Sequence, residues 1–401
     1  MTRLTRPSGR PTGTRRHHGR MDVNENDARD HAAPAQSVQE RRFAAYRRCD
    51  RVLSGGRPQT LRERLAALSE EAGQAYDLDQ RPDFYGDGVV RALERRTAEL
   101  LGAEDAAFFP TGTMAQQVAM RIWSERRGER NIALHPLAHP EVHERRAYAG
   151  LSGLRSVWPT TAPRIPTPQE LRDFDEPYAV LTLELPLREA GFVLPTWEEL
   201  TATVAAADTP VHFDGARLWE SAVHLGRGLP EIAALADSVY VSFYKTLGGP
   251  NGAALTGDRG FVRTAKAWRH RYGGQLFQQW PAALSALAGL DRELPRLTSY
   301  VDHAKVVALA LADALEAVPG ARVFPEPPHT HQFQLWLPRP AEALDEAGLR
   351  LAEESGLALF GGWRDSALPG LSMTEVTVAS AALEWTAGDV VAGVEALLAL
   401  L

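Results

Sequence analysis

The sequence has only one cysteine, Cys49, among its 401 residues. A single thiol cannot form an internal disulfide and excludes a zinc site built from several cysteines, so we expect a reducing, cytoplasmic setting. No apolar run approaches the roughly 20 residues that a membrane-spanning helix needs. The chain also lacks an excess of positive charge: its formal net charge is −7, which disfavours a broad nucleic-acid-binding surface. We therefore expect a globular protein that has neither nucleic acid nor a membrane as its partner.

The N-terminal segment lacks the apolar stretch of a secretory signal. Residues 1–20 contain six arginines and no acidic residue. This composition predicts a disordered, arginine-rich extension over residues 1–36. Met21 offers an alternative start, which leaves open whether residues 1–20 are translated. Residues 37–75 are predicted to be an N-terminal arm with a helix, because "LRERLAALSEEAGQA" has helical spacing.

Short apolar runs alternate with helical segments in the middle of the chain. A second helix-spaced segment, "VVRALERRTAELLG", ends at Gly102, which is a typical stop signal. Seven apolar runs then follow, several of them separated by helical stretches: "AAFFP", "NIALHP", "RSVWP", "YAVLTLEL", "VHFD", "SVYVSF" and "GAALTG". This alternation predicts an α/β large domain over residues 76–320, with a seven-stranded, mainly parallel sheet and helices on both faces.

The C-terminal part has a different pattern. "TSYVDHAKVVALALADALEAVPG" predicts one long helix that ends at Gly320. Short strands and two further helical segments follow it. They predict a small C-terminal α+β domain over residues 321–401.

Two polar residues follow neighbouring predicted strands. Asp214 ends "VHFD", and Lys245 comes 31 residues later, after "SVYVSFY". A crossover of helical length separates the two strands, so both side chains are expected at the same carboxyl edge of the sheet. One interpretation is a structural ion pair. The other is a lysine that forms a Schiff base with pyridoxal phosphate, together with a carboxylate that keeps the pyridine nitrogen protonated.

A third element favours the cofactor. "AAFFPTGTMAQQVAM" predicts a strand, a turn and a helix, and the free N–H groups at a helix N-terminus bind anions. Gly112 would let the backbone approach a phosphate, and Thr111 and Thr113 could donate hydroxyl groups. Ser242, three residues before Lys245, could supply another phosphate contact. Alone, such a turn also serves as an ordinary helix cap.

Together these elements resemble the fold-type I pyridoxal-phosphate enzymes, and more narrowly the threonine aldolase and β-eliminating lyase family. The resemblance covers about residues 54–300 and rests on "FYGDGVVRALERRTAELLGAEDAAFFPTGTMAQQVAM", "AHPEVHE", "VHFDGARLWE" and "YKTLGGPNGAALTG". It implies pyridoxal 5'-phosphate as cofactor and an aspartate aminotransferase-like large domain. It also implies a homodimer or homotetramer, since the site in this family usually lies at a subunit interface.

The resemblance implies a role for each matching residue. Lys245 would carry the cofactor, and Asp214 would pair with the pyridine nitrogen. Arg217 would lie near the ring oxygen and help to orient the substrate. Gly112 and Thr113 would hold the phosphate.

Three further matches concern the ring face and the substrate. His139, in "AHPEVHE", matches the histidine that stacks on the cofactor ring and helps to deprotonate a β-hydroxyl group. Tyr85, in "FYGDG", matches a tyrosine that reaches the cofactor from a neighbouring subunit. Ser54, in "RVLSGGRP", weakly matches a serine near the substrate carboxylate.

The spacing of three histidines also raises the question of a metal site. His135, His139 and His143 lie four residues apart, as ligands on one helical face would. Pro136 and Pro140 are expected to interrupt any helix here, so no metal site is predicted.

The sequence departs from the family in three places. Leu187 and Arg188 stand where the family aldolases carry a second active-site histidine. Residues 373–375, Met-Thr-Glu, stand where the arginine for the substrate carboxylate is expected, and Phe277 replaces the arginine of a Gly-Gly-Gly-x-Arg-Gln segment. A carboxylate substrate favours a bidentate arginine, and Arg188 and Arg364 are the candidates; either could instead be an ordinary surface residue. If neither serves, the substrate would not be an ordinary α-amino acid.

The resemblance implies a lyase of the threonine aldolase or β-eliminating type, acting on a β-hydroxy or β-substituted amino acid through Lys245. The altered carboxylate site leaves a transaminase or transferase on a non-standard amine as an alternative. A non-catalytic binding protein on this fold would be expected to have lost Lys245 or Asp214, and both are present.

Overall fold

The computed structural model describes residues 38–401. The prediction of a disordered extension over residues 1–36 therefore lies outside the described residues. The described chain begins with an arm: α1 (Val38–Arg48), β1 (Arg51–Val52) and α2 (Leu61–Ala75). Thr60 and Glu63 form a reciprocal capping box at the start of α2, which satisfies two backbone N–H groups that would otherwise lack partners.

The middle of the chain alternates strands and helices. In order, the elements are α3 (Gly88–Leu101), β2 (Asp105–Phe109), α4 (Gly112–Arg127), β3 (Asn131–Ala133), α5 (His139–Val142), α6 (Ala147–Ser152), β4 (Arg155–Val157), α7 (Pro168–Arg172), β5 (Leu181–Glu184), α8 (Trp197–Ala206), β6 (Val211–Gly215), α9 (Leu218–Leu225), α10 (Leu229–Ala233), β7 (Ser238–Ser242), β8 (Ala253–Gly257), α11 (Arg259–Arg271), α12 (Trp280–Glu293) and a 3-10 turn (Leu294–Arg296).

Seven of these strands form one sheet in the order β2-β8-β7-β6-β5-β3-β4. Each predicted apolar run supplies one strand, so the seven-stranded sheet is confirmed. The pairs among β3, β4, β5, β6 and β7 are parallel, whereas β8 runs antiparallel to both β2 and β7. Six strands therefore point the same way, and the carboxyl ends of β5, β6 and β7 meet at one edge.

Apolar layers cover both faces of the sheet. One layer packs α3 and α12 against it, with Leu93 and Leu287 among its buried residues. The other packs α4 and α11, with Val118 and Val262. Because the central strands are buried on both faces, they can be apolar along their whole length. Polar groups are then left for the strand ends.

The C-terminal unit has its own sheet and core. Its elements are α13 (Leu297–Ala314), β9 (Arg322–Phe324), β10 (Gln332–Leu337), α14 (Ala341–Ser355), β11 (Leu357–Ala358), β12 (Arg364–Asp365), β13 (Ser372–Thr377), a 3-10 turn (Ser380–Glu384) and α15 (Ala387–Leu398). Four strands form an antiparallel sheet in the order β12-β13-β10-β9, and β11 pairs with β1 of the arm. The predicted α+β character is confirmed, while the predicted domain limits stay predictions.

The long helix ends earlier than predicted. α13 stops at Ala314, not at Gly320. Beyond it the backbone changes to turns: Glu316 N–H bonds to Asp313 and Val318 N–H to Leu315, three residues back. None of the helices within residues 38–401 combines the length and apolar character needed to cross a membrane.

Candidate active site

The loop that carries Lys245 leaves the carboxyl end of β7 in a tight turn. Phe243 N–H donates to the Gly252 carbonyl at 3.0 Å, and Gly249 N–H donates to the Phe243 carbonyl at 2.8 Å. A Cβ at Gly249 would lie 2.7 Å from that same carbonyl oxygen, so the turn requires a glycine there. The glycines that follow Lys245 therefore allow this tight turn.

Asp214 lies at the end of the neighbouring strand, β6, and is 1% exposed. One of its oxygens accepts from Ala216 N–H at 3.2 Å. Burial raises the pKa of Asp214, and the positive charge of Lys245 opposes that rise. Burial and the Arg217 guanidinium lower the pKa of Lys245 to about 8, while Asp214 opposes that shift. The structure thus brings Asp214, Arg217 and Lys245 together at one edge of the sheet.

The N-terminus of α4 faces the same edge. Thr111 caps the helix, its hydroxyl oxygen accepting from Met114 N–H at 3.2 Å. A Cβ at Gly112 would overlap the Tyr240 hydroxyl, so only glycine fits at this close approach. The Thr113 hydroxyl is hydrogen-bonded to Glu144.

Ser242 is placed differently from the other predicted phosphate contacts. It is buried, and its hydroxyl donates to the Ala216 carbonyl at 2.7 Å. That hydrogen is therefore not free for a phosphate oxygen. The geometry favours a role for Ser242 in joining the ends of β6 and β7.

Arg217 is buried at the start of α9. Its guanidinium carbon lies 5.2 Å from the ring centroid of Phe192, and its Nε–H has no partner in the described chain. A buried, unpartnered donor beside Lys245 is suited to a ligand oxygen.

His139 begins the short helix α5 at the carboxyl side of β3. Its N–H donates to Glu184 at 2.7 Å, and its ring lies 4.9 Å from that of His143. Burial and the charge of Lys245 lower the pKa of His139 to about 3, so its imidazole is neutral over the physiological range. A neutral imidazole beside Lys245 can accept a proton.

The expectation that prolines would prevent a helix at the three histidines is wrong in part. Pro140 occupies the first turn of α5, where a missing N–H costs nothing. His135 contacts the Ala162 carbonyl instead, at 2.6 Å. Within residues 38–401 no group of histidine, cysteine, aspartate and glutamate is arranged to hold a metal ion.

An ion-pair cluster, formed by His143, Arg188, Glu189, Arg364 and Glu375, joins the large sheet's loops to the C-terminal unit. Arg188 donates to Glu375 at 2.9 Å, and Arg364 reaches Glu189 at 3.3 Å. His143 bonds to Glu189 at 2.8 Å. The two arginines proposed as carboxylate binders are therefore brought together, but each already faces an acid.

The two arginines differ in their surroundings. Arg188 has a half-buried side chain, an Nε–H without a partner in the described chain, and enough proximity to Lys245 to affect its pKa. Arg364 is 44% exposed and lies at the outer end of the cluster. Of the two, only Arg188 faces Lys245.

The remaining predicted substrate residues are not gathered around Lys245 in this chain. Ser54 accepts from Thr377 N–H at 3.0 Å and so ties the arm to β13. Tyr85 lies in an exposed aromatic cluster with Phe84 and Phe277, their ring centroids 5.1–5.6 Å apart. Leu187 is buried and pairs with Val193.

Three buried acids near the site were not predicted from the sequence. Glu184 ends β5 in register with Asp214, and burial and the charge of Asp214 raise its pKa to about 8. Glu144 follows His139 by five residues, and burial raises its pKa to about 7. Glu220 accepts from Thr246 at 2.8 Å, and burial raises its pKa to about 7. Only Glu184 had a readable signal, because it follows an apolar run at the same edge as Asp214.

The donor set fits pyridoxal phosphate. Gly112, where no side chain fits, leaves the backbone N–H groups at the start of α4 open to a phosphate. A buried carboxyl group, a lysine with a lowered pKa and an unpartnered arginine N–H are the kinds of group that a pyridoxal ring requires.

Comparison with known proteins agrees with this chemistry. The sequence profile of the family described as beta-eliminating lyase matches residues 65–336. The low specificity L-threonine aldolase of Escherichia coli strain K12 is 32% identical over 244 residues, which cover 58% of this chain and 72% of the relative.

Two solved structures are similar over nearly the whole chain. One, from Listeria monocytogenes EGD-E, is provisionally assigned as an L-allo-threonine aldolase; it is 33% identical, with a TM-score of 0.81, and covers 91% of this chain and 100% of its own. The other, from Exiguobacterium sp. 255-15, is provisionally assigned as an aromatic amino acid beta-eliminating lyase/threonine aldolase; it is 34% identical, with a TM-score of 0.80, and covers 90% and 100%.

Proposed function

Because the chain belongs to the beta-eliminating lyase family and is a pyridoxal-phosphate-dependent lyase of the threonine aldolase type, we propose that it cleaves the Cα–Cβ bond of a small β-hydroxy amino acid. The products are an aldehyde and glycine. The observation that carries the proposal is the meeting of Lys245, Asp214 and a neutral His139 at the carboxyl edge of one sheet.

The residues at the strand ends would hold the cofactor. Lys245 would attach it through Nζ, Asp214 would pair with the pyridine nitrogen, and Arg217 would supply a donor to a ring oxygen. Gly112 and the backbone N–H of Thr113 at the start of α4 would hold the phosphate. When bound, pyridoxal phosphate supplies an electron-withdrawing ring that accepts the electrons released at the substrate Cα.

Proton transfers are assigned to His139, acting as a base, and to Lys245, acting as an acid. His139 takes the proton from the substrate β-hydroxyl oxygen, because its neutral imidazole has a free lone pair. The Cα–Cβ bond then breaks and the β-carbon leaves as the aldehyde. Lys245 returns a proton to Cα, which a lysine with a pKa near 8 can do close to neutral pH.

Arg188 is assigned to the substrate carboxylate. It is the cluster arginine that faces Lys245, and it keeps an unpartnered Nε–H. Glu375 holds its far side at 2.9 Å and fixes its orientation. Arg364 acts on the substrate carboxylate only indirectly, through its ion pairs with Glu189 and Glu375.

A β-elimination would need the same lysine and a different bond. Lys245 would remove the Cα proton and a β-substituent would leave, followed by ammonia and a 2-oxo acid. The replacement of the family arginine by Glu375 is the feature that favours a further alternative, transamination or group transfer on a non-standard amine.

The test is to assay the purified protein, which should show a visible band from bound cofactor, with L-threonine and L-allo-threonine. Aldehyde and glycine in equal amounts, lost in Lys245→Ala, would support aldol cleavage. Ammonia and a 2-oxo acid would instead assign β-elimination. A band that no amino acid perturbs would favour a different amine, and no band with added cofactor would overturn the proposal.

The proposal includes a homodimer or homotetramer in the cytoplasm. Phe84, Tyr85 and Phe277 are 59%, 47% and 52% exposed, and such an exposed aromatic cluster suits an interface with a second copy of the chain. Tyr85 would then reach the partner's cofactor, while Ser54 would lie near the substrate carboxylate. The lone, buried Cys49 agrees with a reducing compartment.

A further inference from the structure

Glu184 connects two parts of the site that are distant in sequence. One of its oxygens accepts from the N–H of His139 at 2.7 Å, and the other accepts from the N–H of Arg188 at 3.2 Å. The first contact bridges 45 residues and the second bridges four. One buried side chain therefore anchors the backbone of the residue assigned to the ring face and of the residue assigned to the carboxylate.

A carboxyl group, ionised or protonated, can make both contacts in this orientation. Its two oxygens both accept hydrogen bonds, whereas a glutamine has one accepting oxygen and one N–H₂ donor. A glutamine at this position would place its N–H₂ against one of the two backbone N–H groups. Either the His139 segment or the Arg188 segment would have to move.

The charges around Glu184 also bear on this role. Its strand-end neighbour Asp214 lies in register with it. Asp214 raises its pKa, while the two backbone N–H groups and Lys245 oppose the rise. Arg217 and Arg188 also lie close enough for Glu184 to raise their pKa values. The charges of Asp214, Lys245, Arg188 and Arg217 therefore all interact with Glu184.

We propose that Glu184 is a positioning residue that sets the distance between His139 and Arg188, so that carboxylate binding and β-hydroxyl deprotonation are aligned by one side chain. The inference rests on the proposed function for the roles of His139 and Arg188. Glu184 itself contacts their backbones.

The test compares Glu184→Gln with a control, Glu141→Gln. Glu141 lies on α5, the short helix that His139 begins, and its carboxylate bonds to Arg146 and Tyr148. Glycine has a carboxylate but no β-hydroxyl group, so its dissociation constant, read from the visible spectrum of the holoenzyme, responds to the position of Arg188 and not to that of His139. The kcat for L-threonine or L-allo-threonine responds mainly to the position of His139.

We expect Glu184→Gln to keep the cofactor band while weakening glycine binding, lowering kcat, or both. The change should be about tenfold, as for the loss of one buried hydrogen bond. Glu141→Gln should stay within about twofold of the wild type. Glycine affinity and kcat both within about twofold of the wild type in Glu184→Gln would overturn the proposal.

Hydrogen exchange gives a second measurement that does not depend on catalysis, and its first part does not need a variant. In the wild-type holoenzyme the amides of His139 and Arg188 should both be protected. Glu184→Asp, which is one methylene shorter, should release at least one of them. Rapid exchange of either amide in the wild type would overturn the positioning role. If the wild type releases no aldehyde, the proposed function fails, but exchange and glycine binding still test Glu184.

Discussion

The site has two walls that are built in different ways. We call the residues proposed to hold the cofactor, Gly112, Asp214 and Lys245, the cofactor wall; the backbone of the large domain sets their positions. We call Arg188, Glu375 and Arg364, where the substrate carboxylate is proposed to bind, the substrate wall; ion pairs between the loops of the large sheet and the C-terminal sheet hold these side chains. In the first wall the topology sets the position of each group, whereas in the second wall each charged side chain is positioned by another.

This difference has consequences for substitution. The side chains of Asp214 and Lys245 can be changed with little effect on the backbone, because the ends of two neighbouring strands hold it. A residue in the substrate wall loses its position when its partner changes. The first kind of change should remove chemistry, and the second should alter affinity.

The largest effect is expected in the cofactor wall, from Lys245→Ala. Loss of the attachment point and of the proton donor to Cα should lower kcat by about 10³-fold or more. The measurement is aldehyde release together with the visible cofactor band. Lys305→Ala, which removes an exposed lysine paired with Asp302, is the control. Activity within tenfold of the wild type would contradict the assignment of Lys245.

Asp214→Asn should come next. An amide cannot stabilise a protonated pyridine nitrogen as a carboxylate does, so we expect kcat/KM to fall by about 10²- to 10³-fold. The cofactor should stay bound, with a changed absorption band. Asp237→Asn is the matched control, because Asp237 accepts from Val211 N–H at the opposite end of the same strand. Equal losses in both variants would point to damage to the strand, not to lost chemistry.

In the substrate wall, Arg188→Ala should raise KM by roughly 10- to 100-fold, as for the loss of a charged hydrogen bond, with kcat changed much less. Arg364→Ala is the comparison within the same cluster. Because Arg364 is largely exposed, its loss should change KM by no more than about fivefold. Steady-state kinetics with L-threonine measures both. A larger effect from Arg364 would reverse their assignments.

The smallest effect concerns stability and pH. Glu144 and Glu220 keep their protons up to about pH 7 in the native protein, whereas in the unfolded chain they ionise near 4.5. The native state therefore holds more protons than the unfolded chain, and the free energy of unfolding falls as pH rises through this window. Buried histidines with lowered pKa values act oppositely below about 6.5, so the fall should be clearest between pH 6.5 and 8.

Glu220→Gln should remove roughly 1 kcal/mol of that fall, since one buried carboxyl group no longer ionises. Melting temperatures of the cofactor-free protein at the two pH values provide the measurement, with the exposed Glu395→Gln as control. An unchanged pH dependence in Glu220→Gln would show that Glu220 is not the group that ionises.

The sequence and the structure agree where the backbone decides the position. The seven strands were predictable because apolar runs buried on both faces leave a clear pattern, and Asp214 and Lys245 were predictable because they interrupt that pattern at strand ends. The end of α13 was not predictable to the residue, since Leu315, Glu316 and Ala317, which follow Ala314, all have high helical propensity.

Other features depend on pairs that only folding brings together. Nothing in the sequence joins Arg188 to Glu375, which is 187 residues away. The hydroxyl of Ser242 was expected to face a phosphate, but the Ala216 carbonyl, one residue beyond the end of β6, takes its hydrogen. Glu184 had the same strand-end signal as Asp214, and its role became visible only through the two amides that it accepts.

The long helix α13 belongs to two cores. Leu297 and Tyr300 near its start pack with the large sheet, whereas Val307 and Leu311 further along pack with the C-terminal sheet. The two units are therefore not separable modules. Cutting the chain after residue 320 would strip the far half of this helix of its apolar cover, and cutting before residue 297 would do the same to its near half. We therefore expect the two units to fold together.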